Sequence, residues 1–539
     1  MLLAVSIPYE AHFLQRGLNM LDEGWPLYAA MRLHAGGSLY QDVLWAFPPG
    51  HVLPAWIGFW LDPPGVEITR AIYGAFDTVL CILLYLLGRR LMPARFAFLG
   101  ALLMAVAAPR SHLIQTVFGH RYLALTALSL LAFSRRLRTG DPRWMFAAGL
   151  CAGVALFFRL TPAFAVSCGV AAGSVVANRA WRSWLTDWSW YAAGLLLVIA
   201  PVLAWFAHSV GVETLWREVV VHPLAMLQAK PVPNLVFPRR WARDQIAWSF
   251  FTIQIRLYSA LYLGYAAVLL YRLRRSVLRR QPFEHTLLLA VVIWGAIYFL
   301  RAFGRADEPH LDSALPPVCL LLGHLASVAF SAIWARWPVA PRRRSVAEIA
   351  ACAVALSAWV FLIGTDDMLT NPYWNKHRGM PPYWQVKADN LRKWTAPDET
   401  ILDLSASPML YVISGRTGPG YYDIVMPGTF LKRVDELRFI KRLRESPPML
   451  VIWPMKIFDR MSKRGLRHIA PALVRWVLAN YEVRSLDEEY AFMFRKGADS
   501  TDWPPVIPNP LERRTPRRDP AERSERPGDP GGGQPEKEG

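Results

Sequence analysis

Long apolar blocks alternate with short polar segments from residue 66 to residue 364. Ten blocks approach 20 residues, about the length that a helix needs to cross the hydrocarbon core of a membrane, and neighbouring helices can shield the shorter ones. The pattern therefore predicts ten membrane-spanning helices. The blocks cover residues 66–88, 94–108, 113–133, 144–158, 160–178, 188–207, 251–271, 284–300, 309–335 and 346–364.

The N-terminal 21 residues are less regular. Their apolar pattern is interrupted by Pro8, Glu10, His12 and Arg16, and they lack the basic start and the small-residue cleavage site of a signal peptide. We interpret this segment as an eleventh, truncated span whose beginning lies outside this chain.

The pattern changes after the last apolar block. Short apolar runs at 401–404 and 449–453 alternate with helix-like segments such as 430–445, which predicts a small α/β domain over residues 366–498. Residues 499–539 are rich in Pro, Gly and both signs of charge, which predicts a disordered tail. The predicted fold is an α-helical polytopic membrane protein with about 10–11 transmembrane helices and a small C-terminal α/β domain.

The composition agrees with a membrane protein. Of the 539 residues, 53% are apolar and 19% are charged, against about 45–50% and about 25% in ordinary soluble domains. These values exclude a disordered chain, a collagen-like fibre and a disulfide scaffold. All five cysteines fall within apolar blocks without metal-ligand spacing, so we predict neither a disulfide framework nor a structural zinc site.

The formal net charge of +19 does not indicate a nucleic-acid-binding protein. Such a protein gathers Lys and Arg on one soluble face, whereas here they form short groups between apolar blocks. Eighteen lie in one alternating set of short loops and four in the opposite set, and the richer side of a membrane protein faces the cytoplasm. Residues 22–65, 208–250 and 301–308 and the part after 365 are therefore predicted outside the cytoplasmic (inner) membrane.

The first of these outer segments carries the most distinctive chemistry. Asp22 and Glu23 stand directly before a short helix that Pro26 would start and Gly36-Gly37 would stop. A role as helix N-cap alone would explain Asp22, whereas the second carboxylate beside it and Asp42 in the same loop favour a functional site. The segment reads, in order, an acidic pair, Tyr28, Gly36-Gly37, Tyr40-Gln41-Asp42 and Pro48-Pro49-Gly50.

This order of residues, with ten or eleven spans and an outer C-terminal domain, resembles the GT-C glycosyltransferases. It is most similar to glycosyltransferase family 39, the group of protein O-mannosyltransferases and lipid A aminoarabinose transferases. The resemblance covers roughly residues 1–498, and it implies that residues 1–365 form a GT-C-like catalytic module. It also implies an inverting enzyme of the cell envelope that moves a hexose or pentose from a polyprenyl-phosphate carrier to an acceptor hydroxyl on the outer face.

The resemblance also implies which acid is catalytic. By its place in the motif, Asp22 corresponds to the family's essential first-loop acid, and Glu23 is the second candidate. One carboxylate can serve as the base for the attacking hydroxyl. The leaving phosphate needs no general acid; it needs positive charge and hydrogen-bond donors.

Later outer loops hold the candidates for substrate binding. An Arg-x-Asp-x-x-His segment before a late span is common in the family, and here it implies that Arg305 and His310 contact the carrier phosphate while Asp307 orients His310. A basic cluster that meets lipid headgroups is the alternative for this loop. Arg159, at the outer end of a span, and Asp42, in the first loop, are the further candidates.

The chain departs from the family pattern at two places. Thr161 stands where relatives often carry an acid, and the second outer loop, from Pro109 onward, has no carboxylate. Either that role is absent, or Gln115, His120 or Arg121 takes it, because ionisable residues within a membrane are candidates for function. A structural contact between helices is the alternative for His120 and Arg121. The missing acid weighs against a metal-bridged mechanism, and a divalent metal is left open as a cofactor.

Two other classes of protein stay open as alternatives: a polytopic lipid-carrier or solute transporter, and a catalytically inactive relative that binds a glycolipid. Transporters often place charges at mid-membrane, whereas the candidate charges here gather at the outer ends of spans, which favours the enzyme. The expected partners are a polyprenyl-phosphate-linked sugar donor, membrane lipids, and a glycan, lipid or protein acceptor, with no nucleic acid.

Overall fold

Helices make up most of the chain, and one four-stranded sheet lies near its C-terminal end. The computed structural model describes residues 2–114, 120–178, 181–228, 246–301, 311, 313–337, 340–362, 380–457, 464–498 and 500–508. Up to residue 362 the helices are α1 (Leu2–Phe13), α2 (Gly24–His34), α3 (Leu53–Leu61), α4 (Val66–Gly88), α5 (Ala94–Ile114), α6 (Leu123–Thr139), α7 (Arg143–Phe158), α8 (Leu160–Ala177), α9 (Trp181–Val210), α10 (Val212–Trp216), α11 (His222–Gln228), α12 (Ile246–Arg279), α13 (Thr286–Leu300), α14 (Leu315–Arg336) and α15 (Pro341–Leu362).

The membrane helices follow the apolar blocks of the sequence. Nine of the ten blocks each overlap a single helix among α4–α9 and α12–α15, whereas the block 113–133 is divided between α5 and α6. Five of the described helices are long and apolar enough to cross a membrane, namely α4, α8, α9, the Ile253–Arg279 part of α12, and α14. The prediction of an α-helical, multi-pass membrane protein is therefore confirmed.

One predicted span is interrupted. The sequence predicts a continuous helix over 113–133, but α5 extends to Ile114, and α6 begins at Leu123 after a short 3₁₀ turn at His120–Tyr122. The segment predicted as an eleventh span forms the 12-residue helix α1, which packs against α4 and α5.

The membrane helices pack around one large apolar core. A Cβ atom added to Gly149 of α7 or to Gly194 of α9 would overlap the backbone of the other helix, so these two helices approach as closely as small residues allow. Helix α9 presents Leu196, Leu197 and Trp205 outward. An apolar outer surface is what a helix in contact with lipid tails requires.

The C-terminal α/β unit consists of one sheet covered by helices on both faces. The strands pair in the order β1-β2-β4-β3, with β1 parallel to β2 and β4 antiparallel to both of its neighbours. The elements are α16 (Pro382–Trp394), β1 (Ile401–Asp403), α17 (Met409–Ser414), α18 (Arg433–Glu445), β2 (Leu450–Pro454), α19 (Leu466–Ile469), α20 (Pro471–Asn480), β3 (Tyr481–Leu486) and β4 (Tyr490–Arg495).

Alternate strand residues divide between the two faces, as the period of a strand requires. Leu402 and Val451 pack with α18 and α20, whereas Ile401, Leu450 and Ile452 pack with α16 and α17. The hydrophobic cluster on the face covered by α16 and α17 also contains Trp25, Leu27 and Tyr28 of α2. The sheet therefore shares a hydrophobic core with the loop that connects α1 to α4.

The α/β unit extends further than predicted. Residues 500–508, which the sequence analysis assigns to a disordered tail beginning at 499, pack on the sheet. The N–H of Ile507 donates to the carbonyl of Val483 at 3.0 Å, and the indole of Trp503 donates to the carbonyl of Trp394 at 2.9 Å. The segment is rich in Pro, but it also holds apolar side chains such as Trp503 and Ile507, which explains why it packs on the α/β unit.

Candidate active site

Helix α2 begins directly after the adjacent carboxylates Asp22 and Glu23. The turn before it is fixed by Asn19, whose side-chain oxygen accepts the N–H of Asp22 at 2.7 Å. Glu23, not Asp22, occupies the N-cap position, and it makes no side-chain cap hydrogen bond. The side chain of Asp22 is half-buried. Helix capping therefore does not account for Asp22.

The predicted start and stop residues of α2 act as expected. Pro26 lies in the first turn, where its missing N–H costs nothing. The helix ends at His34, and Gly36 follows with φ +87°, a left-handed conformation that favours glycine.

Glu23 forms a buried, bidentate ion pair with Arg70 of α4. Its Oε1 accepts from Arg70 Nε at 2.5 Å, and its Oε2 accepts from Nη2 at 2.7 Å. The same guanidinium donates to the carbonyls of Leu14, Arg16 and Gly17 at 2.8–3.0 Å. Both carboxylate oxygens of Glu23 are engaged, and Arg70 ties the chain before α2 to the membrane bundle.

Asp42 closes a turn at the surface. Its side chain is exposed, and its Oδ2 accepts the N–H of Ser38 at 2.7 Å. The neighbouring Tyr40 points inward, and its hydroxyl donates to the carbonyl of Phe47 at 2.7 Å. Asp42 thus shapes the loop that carries Phe47.

Arg159 lies in the one-residue link between α7 and α8 and is 6% exposed. Its guanidinium sits 5.6 Å from the centre of the Phe47 ring. Burial and the charge of Arg301 lower the pKa of Arg159 to about 9, while the charge of Asp22 is among the influences that raise it. Asp22 and Arg301 therefore both lie within electrostatic reach of Arg159.

Arg301 follows the last residue of α13. It is half-buried, and its Nη1 donates to the hydroxyl of Tyr298 at 3.1 Å. Three predicted binding residues come just after it in the chain, and all three lie outside the described residues: Arg305, Asp307 and His310.

Arg121 is fully buried in the 3₁₀ turn between α5 and α6. Its Nε lies 3.4 Å from Oδ2 of Asp77 of α4, and its guanidinium stacks 4.4 Å from the centre of the Tyr73 ring. The structure thus places Arg121 in an ion pair between helices, as the structural alternative expects. The backbone of His120 is described, but its side chain lies outside the described part, as does Gln115.

His51 is a residue that the sequence analysis does not single out. It follows Pro48-Pro49-Gly50, is fully buried, and packs 4.9 Å from Phe47 and 5.3 Å from Tyr122 between ring centres. Burial, together with the positive charges of Arg159, Arg121 and Arg301, holds the pKa of its imidazole well below the ordinary value. His51 is therefore a neutral group beside three arginines.

The sequence analysis also missed a pair of residues, Glu218 and His222, in the segment between α9 and α12. Glu218, in a π-helical turn over Arg217–Val221, is fully buried, and its Oε2 lies 2.6 Å from Nδ1 of His222. Burial raises the pKa of the Glu218 carboxyl, but its contacts with His222, Tyr421 and Arg217 outweigh burial and bring that pKa below the ordinary value. The i, i+4 spacing of Glu and His was the available sequence pattern.

The C-terminal unit contacts α2 through a polar cluster. Asp423 is buried and accepts a hydrogen bond from the hydroxyl of Tyr28, and Arg32 lies 3.6 Å from the same carboxylate. The N–H of Gly418 donates to the Tyr28 oxygen at 3.0 Å. Nearby, the N–H of Leu44 donates to the carbonyl of Tyr421 at 3.1 Å. The unit is thus fastened to the loop that carries Asp22.

Metal ligands of the usual kind do not gather in the part of the chain that the structure describes. No group there combines three or more His, Cys, Asp or Glu side chains in a position to hold a metal ion. The assembled chemistry among these residues is a half-buried carboxylate, two arginines and a neutral histidine.

Comparison with known proteins gives one family match. The model of the dolichyl-phosphate-mannose-protein mannosyltransferase family matches residues 66–205, which hold α4–α8 and most of α9. None of the curated proteins matches the chain by sequence.

Solved structures match nearly the whole chain. ArnT from Cupriavidus metallidurans, bound to undecaprenyl phosphate, superposes with a TM-score of 0.58 at 15% identity, over 91% of this chain and 97% of that one. This chain has the GT-C fold. The GT-C oligosaccharyltransferase of Archaeoglobus fulgidus, tethered to an acceptor peptide, matches with a TM-score of 0.52 at 12% identity, over 95% of this chain and 76% of that one. The GT-C resemblance expected from the sequence is confirmed at the level of fold.

Proposed function

We propose that this GT-C chain transfers a sugar from a polyprenyl-phosphate carrier to an acceptor hydroxyl at the membrane surface. The observation that supports it most is that Asp22 and Arg301, from separate parts of the chain, both lie within electrostatic reach of Arg159. An acid beside two cations suits a reaction in which a hydroxyl loses a proton while a phosphate gains charge.

Asp22 is the proposed base. The acceptor oxygen forms a bond to the anomeric carbon, the bond from that carbon to the phosphate oxygen breaks, and its electron pair leaves with the phosphate. The hydroxyl proton goes to Asp22. Attack opposite the leaving phosphate inverts the anomeric centre.

Arg159 and Arg301 are proposed to stabilise the leaving phosphate. Burial makes a guanidinium a stronger partner for an anion than it is in water, because the local dielectric constant is lower. Burial and the charge of Arg301 lower the pKa of Arg159 to about 9, and a bound phosphate would favour the charged form of its guanidinium. Arg305 and His310, with Asp307 orienting the imidazole, complete the proposed phosphate site on the strength of the family pattern.

The remaining candidates are assigned supporting roles. Glu23 is proposed to hold the loop rather than to react, since Arg70 engages both of its oxygens. Asp42 shapes the same loop, and Arg121 fixes the turn before α6. His120 stays a candidate for substrate binding.

The carrier class is drawn from the structural neighbours. ArnT was solved with undecaprenyl phosphate, and the Archaeoglobus enzyme with dolichol-phosphate. By analogy we propose a polyprenyl phosphate here, with the sugar, hexose or pentose, to be found by experiment. From the charge bias of the loops we propose that the α/β unit lies on the outer side of the cytoplasmic membrane.

The test is sugar transfer in proteoliposomes supplied with synthetic polyprenyl-phosphate sugars. Asp22→Asn should lower the rate about 100-fold or more, because it removes the base while keeping the side chain's shape. Asp62→Asn, in the same loop and exposed, is the matched control and should stay within about twofold of the wild type.

Other results would contradict the proposal in distinguishable ways. Transfer that survives in a folded Asp22→Asn protein moves the base to Glu23 or Asp42. Movement of the carrier lipid across the membrane without sugar transfer supports a transporter. Tight donor binding without turnover by the wild type supports an inactive glycolipid-binding relative.

A further inference from the structure

The segment from α10 to α11 has two chemically different faces. Val212, Trp216 and Leu224 are 70%, 62% and 53% exposed, whereas Glu218 and His222 on the other face are buried. The segment thus exposes apolar side chains, together with the charged Glu213 and Arg217, and buries two ionisable groups. A buried ionisable pair is costly to keep, which makes the inward face worth explaining.

The pair has a defined protonation pattern. Glu218 is ionised at neutral pH, because its pKa lies below the ordinary value, and a carboxylate can only accept hydrogen bonds. His222 Nδ1, 2.6 Å from Glu218 Oε2, therefore carries a proton and donates it. The other nitrogen, Nε2, is an acceptor in the neutral imidazole and a donor in the imidazolium, and a hydroxyl group can pair with either.

Nε2 of His222 has no hydrogen-bond partner within the described ranges of the chain. The side chain is only 1% exposed, so water does not cover this atom freely. A buried ring nitrogen without a hydrogen-bond partner lowers stability unless a ligand supplies one. The π-helical turn that carries Glu218 is a rare local geometry that is frequent at functional sites.

The Glu218–His222 pair is also near the first loop and the α/β unit. The charge of Glu218 acts on Tyr40 of the first loop and on Tyr421 of the α/β unit. Tyr40 donates to the carbonyl of Phe47, and the Phe47 ring packs on Arg159. Glu218 is thereby near Tyr40, whose partner Phe47 lies against Arg159.

We propose that His222 Nε2 binds a hydroxyl group of the acceptor, and that the acceptor is a saccharide. This inference rests on the proposed function: one hydroxyl reacts at Asp22 and a second hydroxyl of the same molecule forms a hydrogen bond with His222. Only a polyhydroxylated acceptor offers both hydroxyls. His222 forms and breaks no covalent bond; it positions the acceptor.

Two substitutions at one position separate the binding role from a structural one. Asn at 222 can place its amide N–H near the position of Nδ1 and keep the contact with Glu218, but it offers nothing at the position of Nε2. Gln at 222 can place its carbonyl oxygen near Nε2. His222→Asn should therefore raise the acceptor KM about tenfold or more, and His222→Gln should recover most of that loss.

The expected pattern is confined to the acceptor. In both variants the donor KM should stay within about twofold of the wild type, and so should the rate of donor hydrolysis with water as acceptor. Binding of methyl glycosides and short oligosaccharides to the full-length protein, followed by saturation-transfer NMR, gives a second readout that needs no turnover. His222→Asn should lose this binding.

Three results would overturn the proposal. An unchanged acceptor KM in His222→Asn would remove His222 from the acceptor site. A parallel loss of donor binding and thermal stability in both variants would show a structural role. Transfer to a lipid alcohol or a peptide hydroxyl, with no saccharide accepted or bound, would refute the acceptor class. Failure of the proposed function looks different: the wild type would then transfer no sugar from any carrier.

Discussion

Two buried carboxylates hold helix α2, one on the membrane side and one on the side of the α/β unit. Glu23 receives two hydrogen bonds from the guanidinium of Arg70, which also reaches three backbone carbonyls. Asp423 accepts hydrogen bonds from the hydroxyl of Tyr28 and, at 2.7 Å, from the N–H of Gly420. The guanidinium of Arg32 lies 3.6 Å from its carboxylate. The first contact is a charge matched by a charge, and the second is mainly hydrogen-bonded.

This difference has a physical consequence for the loop that carries Asp22. Burial raises the pKa of the Asp423 carboxyl from 3.8 to about 6, against the opposing effects of Tyr28, Arg32 and Gly420. The contact with the α/β unit therefore responds to pH near neutrality. The loop is therefore held to the membrane helices by an ion pair and to the α/β unit by a contact whose strength depends on pH.

The largest expected effect comes from breaking the contact on the membrane side. Arg70→Met leaves the Glu23 carboxylate buried without its partner, which should cost about 3–5 kcal/mol of unfolding free energy. Thermal unfolding in detergent measures the loss. The double variant Arg70→Met with Glu23→Leu should regain most of it, since two apolar side chains leave no unpaired charge. A double variant as unstable as the single one would contradict this account.

A smaller effect is expected where α2 touches the α/β unit. A Cβ on Gly24 would overlap the backbone nitrogen of Met409 and lie 2.8 Å from its Cα, so Gly24→Ala should destabilise by about 1–3 kcal/mol. Gly264, in α12, has no atom within 4 Å of an added Cβ. Gly264→Ala is the matched control and should gain up to about 1 kcal/mol from helix propensity. Equal effects at both positions would show that contact with Met409 does not matter.

The smallest effect is the pH response of the contact at Asp423. A raised pKa means that Asp423 binds a proton more readily when the α/β unit contacts α2 than when it does not. The stabilisation of that contact by the proton is complete below about pH 4 and is lost as pH rises through 6. The contact between α2 and the α/β unit should therefore become about 1 kcal/mol more stable when the pH is lowered from 7 to 5. Hydrogen exchange at the N–H groups of Gly418 and Gly420, corrected for the intrinsic rate, measures it. In Asp423→Asn this pH dependence should vanish; a persisting slope would assign it to another group.

Much of the fold can be predicted from the sequence because its causes are local. An apolar block near 20 residues satisfies its backbone polar groups in a membrane by forming a helix, and nine of the ten blocks each overlap a single helix of the described chain. Pro26 and Gly36 bound α2 for equally local reasons. The runs at 401–404 and 449–453 become β1 and β2 because short apolar stretches between turns fit a buried strand.

The partners of polar residues could not be predicted in this way. Glu23 and Arg70 are 47 residues apart, and Glu23 is indistinguishable in sequence from a second catalytic acid. The partner of Arg121 is Asp77 of another helix, which its position in the sequence does not indicate. His51 and the Glu218–His222 pair gain their character from burial beside distant residues. Periodicity shows which face of a helix is apolar, but it does not show what that face meets.

The bond between Tyr28 and Asp423 joins residues 395 positions apart, which has a consequence for the order of events during synthesis. At about 5–20 residues per second, a ribosome needs about 20–80 s to travel from the first of these residues to the second. During that interval the membrane helices can insert and pack, while α2 still lacks its partner. We therefore expect a nascent chain to acquire its membrane topology well before its candidate catalytic loop is braced, so that translation of the C-terminal unit is the last step in maturation.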